Sequence, residues 1–147
     1  MKNILVTGAT GLIGSNLCKI LIENGYNVKA LIRETSNISY LQTLNNIEFF
    51  KSGFKDIDIV YHCAAQLDIM GTLDSDHAIT NIQGTRNVME ACLENSVKKV
   101  VYLSTVGVLG ILKDHYNDNE NSPYIKVGNP YYDTKIDAER LVLSYYS

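Results

Sequence analysis

Tyr131 and Lys135 have the types and the spacing of a proton-transfer pair. They lie in the segment NPYYDTKIDAERL, residues 129–141, four positions apart. On a helix this spacing puts both side chains on one face, where the lysine's positive charge would lower the pKa of a phenol that ordinarily ionises at about pH 10. Tyr132 is the rival candidate, but Ile136 follows it four positions later and cannot lower a pKa. In a chain with ten tyrosines the pair alone does not establish the chemistry, so the upstream motifs decide.

Three glycines form a second chemical motif near the start of the chain. Gly8, Gly11 and Gly14 stand in GATGLIG, between an apolar segment and a predicted helix. Glycines here permit a sharp turn, let the backbone approach a pyrophosphate and let the helix pack closely on the strand. Free amides at the helix start would then face the phosphates, and this strand–turn–helix context favours a dinucleotide site over an ordinary glycine turn. The predicted phosphate-binding residues are Gly8, Thr10, Gly11, Leu12, Ile13 and Gly14.

Alternating strands and helices must position these residues. Apolar segments predict strands over 3–8, 26–33, 47–50, 57–65 and 98–105. Helical periodicity predicts helices over 12–25, 36–46 and 74–96, and one from about Tyr131. The residues predicted to face inward are Leu12, Ile13, Leu17, Ile20 and Leu21 in the first helix, Leu41 and Leu44 in the second, and Ala78, Ile82, Val88, Met89 and Cys92 in the third. The pattern indicates an α/β fold, a Rossmann-type doubly wound parallel sheet that binds ligands at the carboxyl ends of its strands.

Composition narrows the function classes. The chain has 147 residues, enough for one domain, with a net charge of −3 and no basic run that would favour nucleic acid or an anionic membrane. The start of the chain has too short an apolar run for a signal peptide, and no segment is apolar enough to span a bilayer. Cys18, Cys63 and Cys92 have no metal-ligand spacing, so we expect reduced thiols in the cytoplasm and no metal site.

Five ordered segments carry a family resemblance over almost the whole chain. VTGATGLIG, HCAA, NIQGTRNVMEAC, YLSTVGVLG and YYDTK stand in the order and spacing of extended short-chain dehydrogenases/reductases. Within them the chain resembles the dihydroflavonol-reductase and epimerase/dehydratase branch. The resemblance implies that Tyr131 is the general acid/base and that Lys135 supplies the charge and holds the nicotinamide ribose. It also implies that Thr105 bonds the substrate oxygen and that Asn81 helps to organise a proton relay, although a plain surface amide is the alternative for Asn81. Ser104 is the neighbouring candidate to Thr105, since strand alternation lets only one of them face the site.

Cofactor preference is predicted from the end of the second strand. In NAD-preferring relatives an acidic residue there bonds the ribose 2′-hydroxyl. Ile32 occupies that place here, and Arg33 follows with a planar fork that suits a 2′-phosphate. We therefore expect NADP, with NAD as the alternative, unless Arg33 is a solvated arginine paired with Glu34. The resemblance also assigns to the cofactor site the small residues Cys63, Ala64 and Ala65.

The predicted function is hydride transfer between NADP(H) and the carbonyl or secondary alcohol of a small molecule. A sugar-nucleotide epimerase or dehydratase begins with the same hydride step and is the alternative. A non-catalytic dinucleotide-binding redox sensor is the alternative of another class. The set Thr105, Tyr131 and Lys135 argues against a sensor, because a sensor needs no acid/base. In the family most of the substrate site follows the YxxxK helix. We therefore expect residues 1–147 to be the N-terminal part of the dinucleotide-binding domain, incomplete at its C-terminal end, without the substrate lobe and unable alone to turn over substrate. The two long helices suggest a homodimer.

One connection is unusually short. Only KSGFKD, residues 51–56, joins the predicted third and fourth strands. Parallel strands ordinarily need a crossover of about a dozen residues, and in the strand order 3-2-1-4 the link must also travel about 14 Å sideways. Six extended residues reach about 20 Å. We therefore expect either residues absent between Gly53 and Phe54 or a third strand outside its usual place. The family's adenine-contacting acidic residue would fall in this stretch, so no residue is assigned to that role.

Overall fold

The computed structural model describes residues 1–67, 77–110 and 117–146. The strands are β1 (Asn3–Thr7), β2 (Asn27–Leu31), β3 (Ile47–Phe50), β4 (Ile59–His62) and β5 (Lys99–Tyr102). The α-helices are α1 (Leu12–Glu23), α2 (Gly84–Glu94) and α3 (Pro130–Ser144). Short 3₁₀ turns cover Leu41–Thr43 and Val106–Leu109, and a π-helical turn over Ala78–Gln83 leads into α2. Contacts divide the described residues into two units, the first from 1–64 and 88–103 and the second from 65–87 and 104–146.

The first unit is built on a parallel sheet of five strands in the order β3-β2-β1-β4-β5. β1 lies in the centre, where Ile4 pairs with Val28 on one side and with Ile59 on the other. The predicted Rossmann-type sheet is therefore confirmed. The predicted helix over 36–46 is wrong, because only the turn Leu41–Thr43 forms there, although Leu41 still points inward and is 1% exposed.

Two apolar clusters hold this unit together. Side chains alternate along β1, so Ile4 and Val6 join one cluster with Cys18 and Leu21, while Leu5 joins the other. The second cluster also contains Phe54, Ile57, Val60, Val88 and Cys92. Burial on both sides explains why the strand segments are apolar without alternation.

The contact face of α1 differs from the predicted one. Gly14, Cys18 and Leu21 are buried, whereas Leu12, Ile13 and Ile20 are largely exposed. The reason is the close approach of Gly14 to the backbone of residues 8 and 9, which fixes that glycine at the centre of the buried face. The pattern of apolar residues in the sequence cannot show that a glycine makes the closest contact between this helix and the loop.

The helix before α2 also departs from its predicted inner face. His77, Asn81 and Thr85 are buried at intervals of four residues, and Ala78, predicted to face inward, is exposed. The π-helical turn has more residues per turn than an α-helix, so the buried positions shift relative to the α-helical period. The predicted start of this helix at residue 74 lies outside the described residues.

The link between β3 and β4 passes over the sheet without a helix. β3 pairs with β2 in parallel, and residues 51–58 lead to β4, with Phe54 and Ile57 buried in the second apolar cluster. The prediction for this link, either residues absent between Gly53 and Phe54 or a third strand outside its usual place, is therefore wrong. The strands have only four residues, so the return and the sideways travel combine into a diagonal of about 20 Å. Nine steps between Phe50 and Ile59 can reach about 30 Å.

The second unit contains α3, which begins at a well-formed cap. Asn129 Oδ1 accepts hydrogen bonds from the backbone N–H groups of Tyr131 at 3.0 Å and Tyr132 at 3.3 Å, and Pro130 stands at the first helical position. The Asp133 carboxylate accepts from Val127 N and Gly128 N, which ties the preceding loop to the helix. Within the described ranges, no helix combines the length and the apolar character that crossing a membrane requires.

Candidate active site

The glycine loop leaves no room for side chains. Gly8 has φ of +64°, and a Cβ placed on it would lie 2.6 Å from Ala64 N. A Cβ on Gly14 would lie 2.2 Å from the carbonyl oxygen of Gly8, and Gly11 N donates a 3.0 Å hydrogen bond to the same oxygen. The backbone of β1, the turn and α1 therefore meet at van der Waals limits, as a loop that admits a ligand against its main chain requires.

The first turn of α1 offers unused backbone donors. Gly11 precedes the helix and supplies no side-chain cap, and the first turn has no acidic residue. Leu12 is 82% exposed and Ile13 is 55% exposed, so the amides of this turn lie at the surface. Such amides and the positive end of the helix dipole attract an anion. The cradle that a Cβ would fill, together with these donors, fits the pyrophosphate of a dinucleotide.

A buried polar pair joins the ends of β1 and β4 beside this loop. Thr7 Oγ1 lies 2.6 Å from His62 Nδ1 and accepts a 3.3 Å hydrogen bond from Ala64 N. These bonds hold Cys63 and Ala64 against Gly8. Of the three small residues assigned to the cofactor, Cys63 and Ala64 therefore meet the glycine loop, and Ala65 begins the second unit.

The end of β2 carries Arg33 on an ordered turn. Its backbone N–H donates to Ser36 Oγ at 2.9 Å, and its carbonyl accepts from Ser36 N at 3.0 Å. The pairing of Arg33 with Glu34 is not found, because Glu34 Oε1 accepts from Lys51 Nζ at 3.2 Å. Among the residues that the structure describes, the exposed Arg33 guanidinium has no hydrogen-bond or ion-pair partner.

Tyr131 and Thr105 come together in the second unit. Tyr131 lies in the first turn of α3, and Thr105 precedes the turn Val106–Leu109, where its Oγ1 also accepts from Gly107 N. Burial raises the pKa of Tyr131 above its ordinary value, the neighbouring Tyr132 adds to this, and a hydrogen bond from the Thr105 side chain lowers the pKa in part. The phenol is therefore protonated at neutral pH, and any contribution of Lys135 and an oxidised nicotinamide must overcome this burial.

Lys135 lies one turn after Tyr131 on α3 and is 2% exposed. It is buried together with Ile136 and Ala138 of the same helix, and such burial is unusual for a lysine. Tyr132 packs in a different place, since a Cβ on Gly107 would lie 2.2 Å from its ring. The two tyrosine rings contact each other edge to face, with 5.1 Å between their centroids.

Ser104 points to a different partner from Thr105. Its Oγ donates a short hydrogen bond to Glu139 Oε2, and Tyr124 Oη donates to Glu139 Oε1 at 3.0 Å. Burial, followed by the Glu139 carboxylate, raises the pKa of Tyr124. Ser104, Thr105, Tyr124 and Glu139 line a cleft of about 360 Å³ in this unit.

Asn81 is a buried hydrogen-bonding centre and not a surface amide. Its Oδ1 accepts from Gln66 N at 2.7 Å, and its Nδ2 donates to Gln66 O at 3.2 Å and to Thr134 Oγ1 at 3.1 Å. Thr85 Oγ1 donates to the Asn81 carbonyl at 2.6 Å. Because Thr134 directly precedes Lys135, Asn81 is tied to the helix that carries the tyrosine–lysine pair.

The sequence of this chain matches a known family over nearly its whole length. The profile of the NAD dependent epimerase/dehydratase family matches residues 4–147. The chain belongs to the NAD dependent epimerase/dehydratase family. The predicted resemblance to extended short-chain dehydrogenases/reductases is thereby confirmed.

Two curated relatives and one solved structure show the range of this family. The chain is 30% identical to a 3-beta-hydroxysteroid dehydrogenase of Mycolicibacterium neoaurum, with 97% of the chain and 43% of the relative covered. It is 32% identical to a 2-alkyl-3-oxoalkanoate reductase of Shewanella oneidensis, with 97% and 39% covered. It superposes on UDP-glucuronic acid 4-epimerase of Bacillus cereus in complex with NAD, with a TM-score of 0.82, 30% identity, and 98% of this chain and 51% of that chain covered. The chain thus spans about two fifths of the length of these curated relatives.

Sequence reasoning missed Glu139 and Tyr124. One signal was present, because Glu139 follows Lys135 by four residues and Tyr131 by eight, on the helix face already assigned to chemistry. No local signal pointed to Tyr124, which meets Glu139 from 15 residues away.

Proposed function

We propose that this chain is the dinucleotide-binding part of an NADP-dependent oxidoreductase acting on a carbonyl or secondary alcohol. The observation that carries the proposal is the Thr105 side chain beside Tyr131, where it lowers the pKa of the phenol, with the buried Lys135 one turn away on α3. A hydroxyl, a phenol and a lysine in this arrangement can hold a substrate oxygen and exchange a proton with it.

The proposed roles are those that the family resemblance implies, and the geometry of the glycine loop supports the first of them. The amides after Gly8 and Gly11 bind the pyrophosphate, Arg33 binds the 2′-phosphate and Lys135 holds the nicotinamide ribose. The bound nicotinamide supplies or accepts the hydride. Tyr131 donates a proton to the substrate oxygen in reduction and accepts it in oxidation, while Thr105 positions that oxygen.

The protonated phenol of Tyr131 can serve the reductive direction without a prior change of its protonation state. At neutral pH the phenol already holds the proton that reduction consumes. In oxidation the phenol must first lose its proton, for which the positive charge of Lys135 is needed.

Turnover of the complete parent protein tests the reaction. A panel of ketones would be supplied with NADPH, and loss of NADPH absorbance would be followed for the wild type and for Tyr131→Phe. Binding of NADPH without turnover of any ketone or alcohol would instead favour the dinucleotide-binding redox sensor.

A sugar-nucleotide epimerase or dehydratase is the second candidate. The superposition on UDP-glucuronic acid 4-epimerase supports it. Such an enzyme removes a hydride and returns it, so it would convert a nucleotide sugar without net consumption of cofactor. Incubation with UDP-sugars and product analysis by NMR separates the two candidates.

The cofactor preference has its own test, which needs no substrate. NADPH and NADH would be titrated into the wild type and into Arg33→Ala, with the intrinsic tyrosine fluorescence of the chain as the readout. Loss of one charge-assisted contact should weaken NADPH binding about ten- to a hundredfold and leave NADH binding nearly unchanged. Equal affinities of the wild type for both cofactors would refute the NADP assignment.

The homodimer through α2 and α3 also stays a prediction, and analytical sedimentation would measure the oligomeric state.

A further inference from the structure

Arg33 and Lys51 follow neighbouring strands at the same edge of the sheet. β2 and β3 are parallel, Leu31 is paired with Phe50, and Ile32 N donates to Phe50 O at 2.8 Å. Lys51 comes directly after the last paired position of β3, and Arg33 comes two residues after that of β2. The two adjacent strands lie about 4.8 Å apart.

Glu34 is a negatively charged residue that neighbours both of these cations. It follows Arg33 directly, and Lys51 Nζ lies 3.2 Å from its Oε1. Both side chains are well exposed, 65% for Lys51 and 84% for Glu34, so this ion pair contributes little to folding. The ion pair instead affects which cofactor this edge of the sheet binds more tightly.

A carboxylate and a guanidinium at this edge favour opposite cofactors. A carboxylate accepts a hydrogen bond from a ribose 2′-hydroxyl and repels a 2′-phosphate, whereas an arginine attracts the phosphate. The charges of Arg33 and Glu34 cancel, and only with Lys51 does the group of three become positive by one.

We propose that Lys51 is a specificity-determining residue, which favours NADP over NAD by engaging Glu34 beside Arg33. This inference rests on the proposed function of the chain. Lys51 holds the Glu34 carboxylate away from the ribose hydroxyl and offsets its repulsion of a 2′-phosphate. When a phosphate arrives, the same ammonium is within reach to donate to it.

Cofactor binding to the chain as it exists tests the proposal. NADPH and NADH would be titrated at low ionic strength into the wild type, Lys51→Met, Glu34→Gln and the double variant. Lys19→Met is the matched control, because Lys19 forms a comparable exposed pair with Glu23 at 3.8 Å on α1. Thermal unfolding of each variant would verify that it is folded.

The ratio of NADPH to NADH affinity should follow the charge of the group. We expect Lys51→Met to lower the ratio about tenfold, Glu34→Gln to raise it and the double variant to return close to the wild type. Lys19→Met should leave the ratio unchanged. The proposal is overturned if Lys51→Met shifts both affinities equally, or if the double variant keeps the low ratio of Lys51→Met. The absolute ratio of the wild type tests the NADP assignment, and the order of the variants tests Lys51, so the two failures are distinguishable.

Discussion

Glu139 accepts a hydrogen bond from Ser104, the residue directly before Thr105. Glu139 lies on α3, as does Tyr131, which the Thr105 side chain contacts. Two successive residues are therefore held by two points on the same helix, two turns apart. Because the short segment is fixed by this bond, we expect the Ser104–Glu139 contact to help to orient the Thr105 hydroxyl toward the phenol.

Replacing Glu139 should disturb Tyr131 indirectly. Glu139→Ala removes the acceptor for both Ser104 and Tyr124, and we expect a loss of about 1–3 kcal/mol in the free energy of unfolding. The Thr105 bond lowers the pKa of Tyr131, so its loss should raise that pKa further. Phenolate absorbance during alkaline titration, with Tyr131→Phe subtracted, measures it.

Glu139→Gln is the control, because it has no charge, like alanine, but keeps an acceptor for Ser104 and a polar contact for Tyr124. We expect Gln to preserve stability and to leave Tyr131 with a lower pKa than in the alanine variant. Identical titrations of the Ala and Gln variants would show that Glu139 does not position Thr105.

Tyr131 and Tyr132 form a matched pair for testing the acid/base. In a turnover assay of the proposed oxidoreductase, Tyr131→Phe should keep the fold and cofactor binding but reduce turnover about 10²–10⁴-fold. Tyr132→Phe keeps the ring that packs on Gly107 and should change turnover little. Steady-state rates of both variants decide which tyrosine is the acid/base. A larger loss of turnover in Tyr132→Phe than in Tyr131→Phe would assign the chemistry to Tyr132.

The sheet and the glycine loop were predictable because their signals are local. Continuous apolar strands and the three glycine positions each act within a few residues of sequence. The exposure of Ala78 was not predictable, since it results from a π-helical turn that departs from the assumed period. Glu139 was missed because Ser104 meets it across 35 residues, and the short crossover was misjudged because its path is a diagonal.

Gly14 should tolerate no side chain. In Gly14→Ala the new Cβ would lie 2.2 Å from the Gly8 carbonyl oxygen, so α1 must move away from the loop. We expect destabilisation of about 1–3 kcal/mol and at least tenfold weaker NADPH binding. Fluorescence titration and urea unfolding measure the two effects.

Gly84→Ala is the corresponding control in α2. Its Cβ would meet Ile79 O at an ordinary 3.6 Å, and alanine favours a helix over glycine by up to about 1 kcal/mol. This variant should be as stable as the wild type or more so, with unchanged cofactor affinity. Normal NADPH binding by Gly14→Ala would contradict the assignment of the glycine loop to the pyrophosphate.

Two buried thiols should make stability fall in alkaline solution. Cys18 is 0% exposed and Cys92 is 4% exposed, one in each apolar cluster. Burial, with a smaller effect of the Cys63 thiol, raises the pKa of Cys18 from 9.0 to about 12, and burial raises that of Cys92 to about 11. The folded chain therefore retains two protons that the unfolded chain releases above pH 9.0.

The sign follows from proton binding: the folded state holds more protons, so the free energy of unfolding decreases as pH rises. The loss begins near pH 9.0 and continues to about 11 for Cys92 and about 12 for Cys18. Each thiol contributes about 1.4 kcal/mol per pH unit, so the wild type should lose about 3 kcal/mol between about pH 8 and about pH 10. Urea unfolding under reducing conditions measures this. Cys18→Ala or Cys92→Ala should remove half of the loss and the double variant nearly all of it, whereas an unchanged pH dependence in the double variant would assign the loss to other groups.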